Sequence, residues 1–220
     1  MAPKATTLIS RFRNFLRRPV HSKLYLLSLV LARLKAKFYY RNVFGAFGKG
    51  SVLFKPTLIL SPEYMFVGRN VFIRPGLRMG ASVADPEYPP EIRIGDNVAI
   101  EQDVEIGATG RILIRDYVAI GARCAIIGGF HPFLDVHSKV PVKDRLGGAR
   151  SLTEIGEGSV LGVGTVVKMN VRIGRHVMTG PNAVVASNLP DYCLAEGNPA
   201  VVVLKYDPAT DRWARPAKSP

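Results

Sequence analysis

Apolar residues in the first part of the chain recur at helical spacing. Residues 8–18, LISRFRNFLRR, set Leu8, Ile9, Phe12, Phe15 and Leu16 three and four positions apart, with arginines between them. That spacing gathers the apolar side chains on one side of a helix, and Pro19 ends it. Ser22 stands where it can cap a second helix running to about Tyr40, again apolar with flanking bases. Gly45, Gly48 and Gly50 then break the pattern.

Beyond Gly50 the period becomes six. Aliphatic residues fall at Val67 and Ile73, at Ile94, Ile100 and Ile106, and at Ile114, Ile120 and Ile126. They resume at Ile155, Leu161, Val167, Ile173 and Val185, with Thr179 the one exception among these fourteen slots. Glycine follows in eight of the fourteen: Gly68, Gly95, Gly107, Gly121, Gly156, Gly162, Gly174 and Gly180. The fifth position is small or aliphatic, as in Val71, Val98, Val104, Val118, Cys124, Ser159, Thr165, Val171 and Val177, and a weaker set begins near Phe47, Leu53 and Ile59. Neither a helix nor an alternating sandwich produces period six in fixed phase. The pattern predicts an all-β fold, a parallel β-helix in which each hexad is one short strand and one turn. Three hexads close a triangular coil of about 18 residues. First-position side chains stack inside the prism, fifth-position side chains also point in and must be small, and glycine suits the crowded turn.

Two segments interrupt the hexads. Residues 84–91, ADPEYPPE, read as a short proline-rich loop, and residues 131–153 as a long polar excursion of the kind that carries function in compact domains. The expected organisation is a basic amphipathic helical arm over 1–46, a β-helix over 47–206 and a flexible tail over 207–220. The tail holds Pro208, Pro216 and Pro220.

Charge changes this picture more than composition does. The net charge of the 220-residue chain is +13. Residues 1–49 hold eleven Lys or Arg and no acid, the first acid being Glu63, while the remainder carries 19 bases against 17 acids. The excess therefore sits on the arm, which suggests contact with an anionic membrane surface rather than nucleic acid, since nothing in the hexads looks like base readout; the alternative is that the apolar face of the arm packs on the end of the prism and caps its exposed last coil. The apolar run over 24–32 is nine residues, too short to span a bilayer. Arg33, Lys35 and Lys37 follow it in place of a small-residue cleavage site, so the expected location is cytoplasmic, peripheral on the inner membrane face. Two cysteines, Cys124 and Cys193, are too few for a disulfide framework and read as small buried thiols.

The hexad runs, the stretch GGFHPF at 128–133 and the run NLPDYCLAEGNPAVVV at 188–203 together resemble the hexapeptide-repeat acyltransferases. The similarity is nearest to sugar O-acetyltransferases of the galactoside and maltose type and to their relatives in colanic acid, capsule and lipopolysaccharide decoration. It covers roughly residues 47–204. The resemblance implies a left-handed β-helix, a homotrimer, acetyl-CoA lying in the groove between neighbouring prisms with no metal required, and a sugar or lipid-linked glycan as acceptor. It also implies one histidine per site at the start of the loop, which maps onto His131. The family's Thr-Lys pair before the final turn is replaced by Ala186 and Ser187, which leaves Lys168, Arg172, Arg175 and Lys205 as alternative phosphate contacts.

Acetyl transfer to a hydroxyl needs a general base. His131 sits where regular coil gives way to loop, after Gly128 and Gly129. It is expected to take the hydroxyl proton in a ternary complex and to return it to the CoA thiolate. A backbone N–H at a tight turn would stabilise the oxyanion. Asp103, Asp135 and His137 are the candidate acceptor contacts, with Asp135 and Asp116 as candidates to orient His131. Gly162, Gly164 and Gly180 would let pantetheine approach the prism wall, and Lys168 would meet the phosphates. His176 occupies an outward turn slot and His21 belongs to the arm. The competing readings are an N-acetyltransferase acting on an amino sugar, a metalloenzyme resembling gamma-class carbonic anhydrases, for which His131 and His137 give only two plausible zinc ligands, and a non-catalytic binding protein.

Overall fold

All fourteen first-position side chains are buried, Thr179 included, and so are the fifth-position side chains from Val71 to Val177. In the computed structural model, which describes residues 15–216, they line a three-sided prism wound as a left-handed parallel β-helix. The strands form three sheets, one on each side. On the first side the register stacks Phe47, Val67, Ile94, Ile114, Ile155 and Ile173. The second side stacks Leu53, Ile73, Ile100, Ile120, Leu161 and Thr179. The third stacks Ile59, Met79, Ile106, Ile126, Val167 and Val185. Each fully buried aliphatic side chain contributes roughly 1.5–3 kcal/mol. Met79 holds a first-position slot that the aliphatic pattern alone does not reveal.

Thr179 has a physical reason to be there. Its hydroxyl lies 2.8 Å from that of Thr165 inside the prism and accepts the Gly162 N–H at 3.0 Å. A buried hydroxyl is tolerated because it is paired. Ser159 is held likewise, donating to the Gly174 carbonyl at 2.8 Å and accepting from the Val177 N–H at 3.0 Å. The cysteines are free and buried, and burial pushes both thiols up from their ordinary value.

The helix of the arm, α1 (Val20–Lys35), begins directly after Pro19, so Ser22 lies inside it and does not cap it. Proline fits there because the first turn needs no partner for a missing N–H. A wider turn, Ala36–Tyr40, and a short turn, Arg41–Val43, continue it. Ala36, Tyr40 and Phe44 join Phe47 in the core, with Tyr40 and Phe44 in edge contact at 5.5 Å and Phe44 and Phe47 at 5.3 Å. These rings cover the first coil, as an end of a stacked-repeat protein requires. The helix expected over 8–18 falls mostly outside the described residues.

Both interruptions are present, shifted at their ends. The first closes at Pro90, because the strand Glu91–Ile94 begins inside the expected loop. The second runs over 129–151, since Leu152–Ile155 is already strand. The expected flexible tail needs correction over its described part, residues 207–216. The strands Ala200–Asp207 and Arg212–Ala214 form an antiparallel hairpin that extends the second sheet through Cys193–Gly197. Its Tyr206 ring packs on Trp213 at 5.8 Å, and this contact orders residues that their prolines alone suggested were loose.

Candidate active site

The excursion leaves the third sheet at the end of strand Ala125–Gly128. Its base is pinned. The Thr109 hydroxyl donates to the Gly147 carbonyl at 2.6 Å, and the Ser151 hydroxyl to the Gly128 carbonyl at 2.9 Å. Phe130 and Gly147 pair across the neck in a short antiparallel bridge. A side chain at Gly129 would meet Thr109 of the preceding coil, so glycine lets the neck of the loop lie against that residue.

Arg145 organises the loop interior. Its guanidinium donates to the carbonyls of Val140 at 2.7 Å, Ser138 at 3.0 Å and Asp135 at 3.2 Å. Its own carbonyl lies 2.9 Å from Nδ1 of His131. A carbonyl can only accept, so Nδ1 carries the proton and Nε2 of the neutral ring keeps its lone pair.

His131 borders a cleft of about 600 Å³ on the third side of the prism. Leu58, Leu60, Arg78, Glu105, Ile127, Phe130 and Lys143 also line it. The register explains its shape. Leu60, Gly80, Gly107 and Ile127 stand side by side on the outer surface of the sheet, so two adjacent glycines form a trough between larger residues. A Cβ on Gly107 would meet nothing within 4 Å. Gly107 is therefore no crowded-turn glycine. It lies within the strand Glu105–Ala108, and its lack of a side chain keeps the trough open. In the next column Arg78 and Glu105 face each other in an ion pair of 3.4 Å.

The other residues singled out from sequence are dispersed. Asp103 occupies a left-handed turn, φ 57°, and does not line the cleft. Asp135 accepts the His137 N–H at 3.1 Å in a local turn, and both side chains are exposed. Asp116 accepts the Asp96 N–H at 2.8 Å. His131 is thus oriented by a backbone carbonyl, and neither carboxylate is bonded to it. Gly162 and Gly180 lie against the next coil, where a Cβ would meet the Thr179 carbonyl oxygen at 2.5 Å and Glu196 Cγ at 2.7 Å. Gly164 has φ 73° and lies against Asn182. Lys168 is exposed one residue past Val167, at the opposite end of the strand Val166–Val167 from Gly164. His176 stacks on Tyr192 at 5.4 Å. Among the described residues no group of three or more His, Cys, Asp or Glu side chains is arranged to hold a metal ion. Arg78 and Glu105 were not anticipated, because the outward slot of a hexad has no residue preference to read, and Lys143 was not because it lies in the excursion, outside the repeat.

No family model matches the chain. A Mycobacterium tuberculosis protein named as a probable acetyltransferase is 36% identical over 112 residues, 51% of this chain and 36% of that protein. The chain thus spans little more than a third of that relative's length. WcaF of Escherichia coli, named as a colanic acid biosynthesis acetyltransferase, is 27% identical over 137 residues, 62% of this chain and 67% of that protein. Among solved structures, an N-acyltransferase from Bacillus cereus in complex with dTDP and coenzyme A matches with a TM-score of 0.63. It is 19% identical over 80% of this chain and 89% of its own. In its hexads, coil geometry and relatives the chain is similar to the hexapeptide-repeat acyltransferases.

Proposed function

We propose that this protein moves an acetyl group from acetyl-CoA to a hydroxyl of a sugar or glycan, working as a homotrimer in the cytoplasm, with His131 as general base. The observation that carries the reading is the held imidazole: Nδ1–H is engaged by the Arg145 carbonyl, and the ring borders a cleft large enough for a sugar. Acetyl-CoA supplies the thioester whose acetyl group is moved and whose sulfur leaves as thiolate. His131 Nε2 takes the acceptor proton as the oxygen attacks, and gives it to the sulfur as the C–S bond breaks. Arg78, Glu105 and Lys143 are placed to contact polar groups of an acceptor lying in the trough. Asp103, Asp135 and His137 lie outside its lining, so an acceptor would have to extend beyond the trough to reach them. Gly162, Gly164 and Gly180 give the donor a flat corner wall, with Lys168 available to its phosphates.

The test is product analysis. Acetyl-CoA is incubated with the protein and a panel of sugars, nucleotide sugars and lipid-linked glycans, each in hydroxyl and amino forms, and products are located by NMR. An O-acetyl ester on a hydroxyl form is expected. Transfer confined to the amino forms contradicts the hydroxyl assignment, and no transfer to any member contradicts the sugar assignment.

A further inference from the structure

Helix α1 is apolar on two sides, and the prism uses only one. Ala32 is buried, Leu29 packs with it against Val52 and Phe54, and the Tyr25 ring meets Phe54 edge-on at 5.8 Å. The continuing turn buries Ala36 and Tyr40. The opposite side carries Val20, Leu24, Leu27, Leu31 and Leu34, extended by Phe38 in the wider turn. Spacings of four and three residues align them in one stripe. Every member is between 47% and 70% exposed. Packing against the prism therefore holds the helix in place and leaves this stripe bare.

The bases are arranged around the stripe. At about 100° per residue, Lys23 and Lys35 lie about 60° to either side of its centre. Arg17, Arg18, Arg33, Lys37 and Arg41 raise the positive charge of the whole segment, with Arg33 turned toward the prism end beside Phe47 and Gly48, and no acid occurs anywhere in residues 1–49. Lysine stems reach along an apolar surface while the ammonium stays at its edge. Charge decides the occupant. A second copy of this helix laid on the stripe would set bases against bases, whereas an anionic surface answers both features. Among the described residues no helix is long and apolar enough to cross a membrane. At 1.5 Å per residue α1 is about 24 Å long.

We propose that the stripe of α1 lies in the plane of an anionic lipid bilayer, with its leucines at the boundary between headgroups and acyl chains and its lysines among the headgroups. The prism is held at the membrane face with no described segment crossing it. This inference does not depend on the catalytic reading, because lipid binding is measured with no substrate present.

The experiment uses the full chain with sedimenting vesicles of phosphatidylcholine, alone or mixed with phosphatidylglycerol. The protein is expected to pellet with the mixed vesicles at low salt and to be released at about 1 M salt, where the screening length falls to about 3 Å. Leu27→Ser with Leu31→Ser should weaken partition by roughly tenfold or more. Lys23→Gln with Lys35→Gln should weaken it several-fold, on the order of the charge contribution. Leu27, Leu31 and Lys35 are exposed and Lys23 is half-buried. Lys35 Nζ lies 5.0 Å from the centre of the Tyr40 ring, so the lysine pair should lower the melting temperature slightly, while the leucine pair should leave it, and both should leave the assembly mass, unchanged. A fluorophore attached through Leu31→Cys should shift to the blue on mixed vesicles, and the two native thiols are buried away from the label. Failure to bind mixed vesicles at low salt overturns the proposal. So does binding that the serine pair leaves intact, which would be charge adsorption alone. A serine pair that changes the assembly mass while vesicle binding is absent would assign the stripe to a second copy of the chain.

Discussion

Gly107 and Gly121 hold the same slot of their repeats, each following a buried isoleucine, yet replacing them should have opposite consequences. A Cβ on Gly107 meets nothing within 4 Å, its φ is not positive, and it lies inside a four-residue strand. Glycine there forgoes about 0.5–1 kcal/mol relative to a residue with a side chain, and a β-branched residue suits a strand. Gly107→Ile should therefore raise the melting temperature by about 1–4 °C for a chain of this size. The new side chain fills the trough between Gly80 and Ile127, in the cleft of about 600 Å³ beside His131. Misplacing a bound reactant by about 1 Å costs on the order of 10²-fold, so turnover should fall at least that far. At Gly121 a Cβ would lie 2.8 Å from the Leu161 carbonyl oxygen and 2.8 Å from the Val163 nitrogen, both backbone atoms that cannot step aside. Gly121→Ala should destabilise by about 1–3 kcal/mol. Circular-dichroism melts and acetyl-transfer rates on the two variants check the pair of predictions. A Gly107→Ile protein with wild-type turnover, or one melting below Gly121→Ala, refutes the reading of the trough.

Arg145→Ala removes three carbonyl contacts of 2.7–3.2 Å that tie the loop together. At about 1 kcal/mol each for exposed partners, local order should weaken by about 3 kcal/mol, or roughly 10²-fold. Hydrogen exchange over 131–147 should rise, turnover should drop and global melting should barely move; unchanged exchange would contradict the role given to Arg145. Arg145→Lys should recover little, because a point charge cannot bridge several carbonyls as the planar fork does. Inside the prism, Thr179→Val or Thr165→Val alone should cost about 1–3 kcal/mol, whereas the double change should be nearly neutral. Denaturant melts on all three variants supply the cycle, and additive losses would mean that the 2.8 Å hydroxyl pair is not the interaction that matters.

The prism was legible because its geometry repeats. Ile94, Ile100 and Ile106 fall six apart in the sequence, as do Ile114, Ile120 and Ile126, and the leading residues Ile94, Ile114 and Ile155 become neighbours in one column of the first sheet; no other common architecture produces that period. Features without a repeat were harder to read. Gly107 matches the turn-glycine slot, and only the longer strand Glu105–Ala108 shows that it faces a trough. The partner of His131 is a backbone carbonyl fourteen residues away, a group that every residue possesses and that a search by residue type cannot find. A carboxylate looked the natural partner, but Asp135 is engaged by its own turn. The terminal hairpin was obscured by Pro208 and Pro216, although Tyr206 and Trp213 supply the packing that orders it.

The central claim is that an imidazole at position 131 performs the proton transfer of acetyl transfer. Its most direct measurement is thiol release from acetyl-CoA, with the acceptor found in the product screen, on wild-type protein, His131→Ala and His137→Ala, alongside acetyl-CoA binding by calorimetry. His131→Ala should lose roughly 10²–10⁴-fold in turnover with acetyl-CoA affinity nearly unchanged, while His137→Ala stays within a few-fold of wild type. Wild-type turnover in His131→Ala, or the larger loss in His137→Ala, contradicts the account.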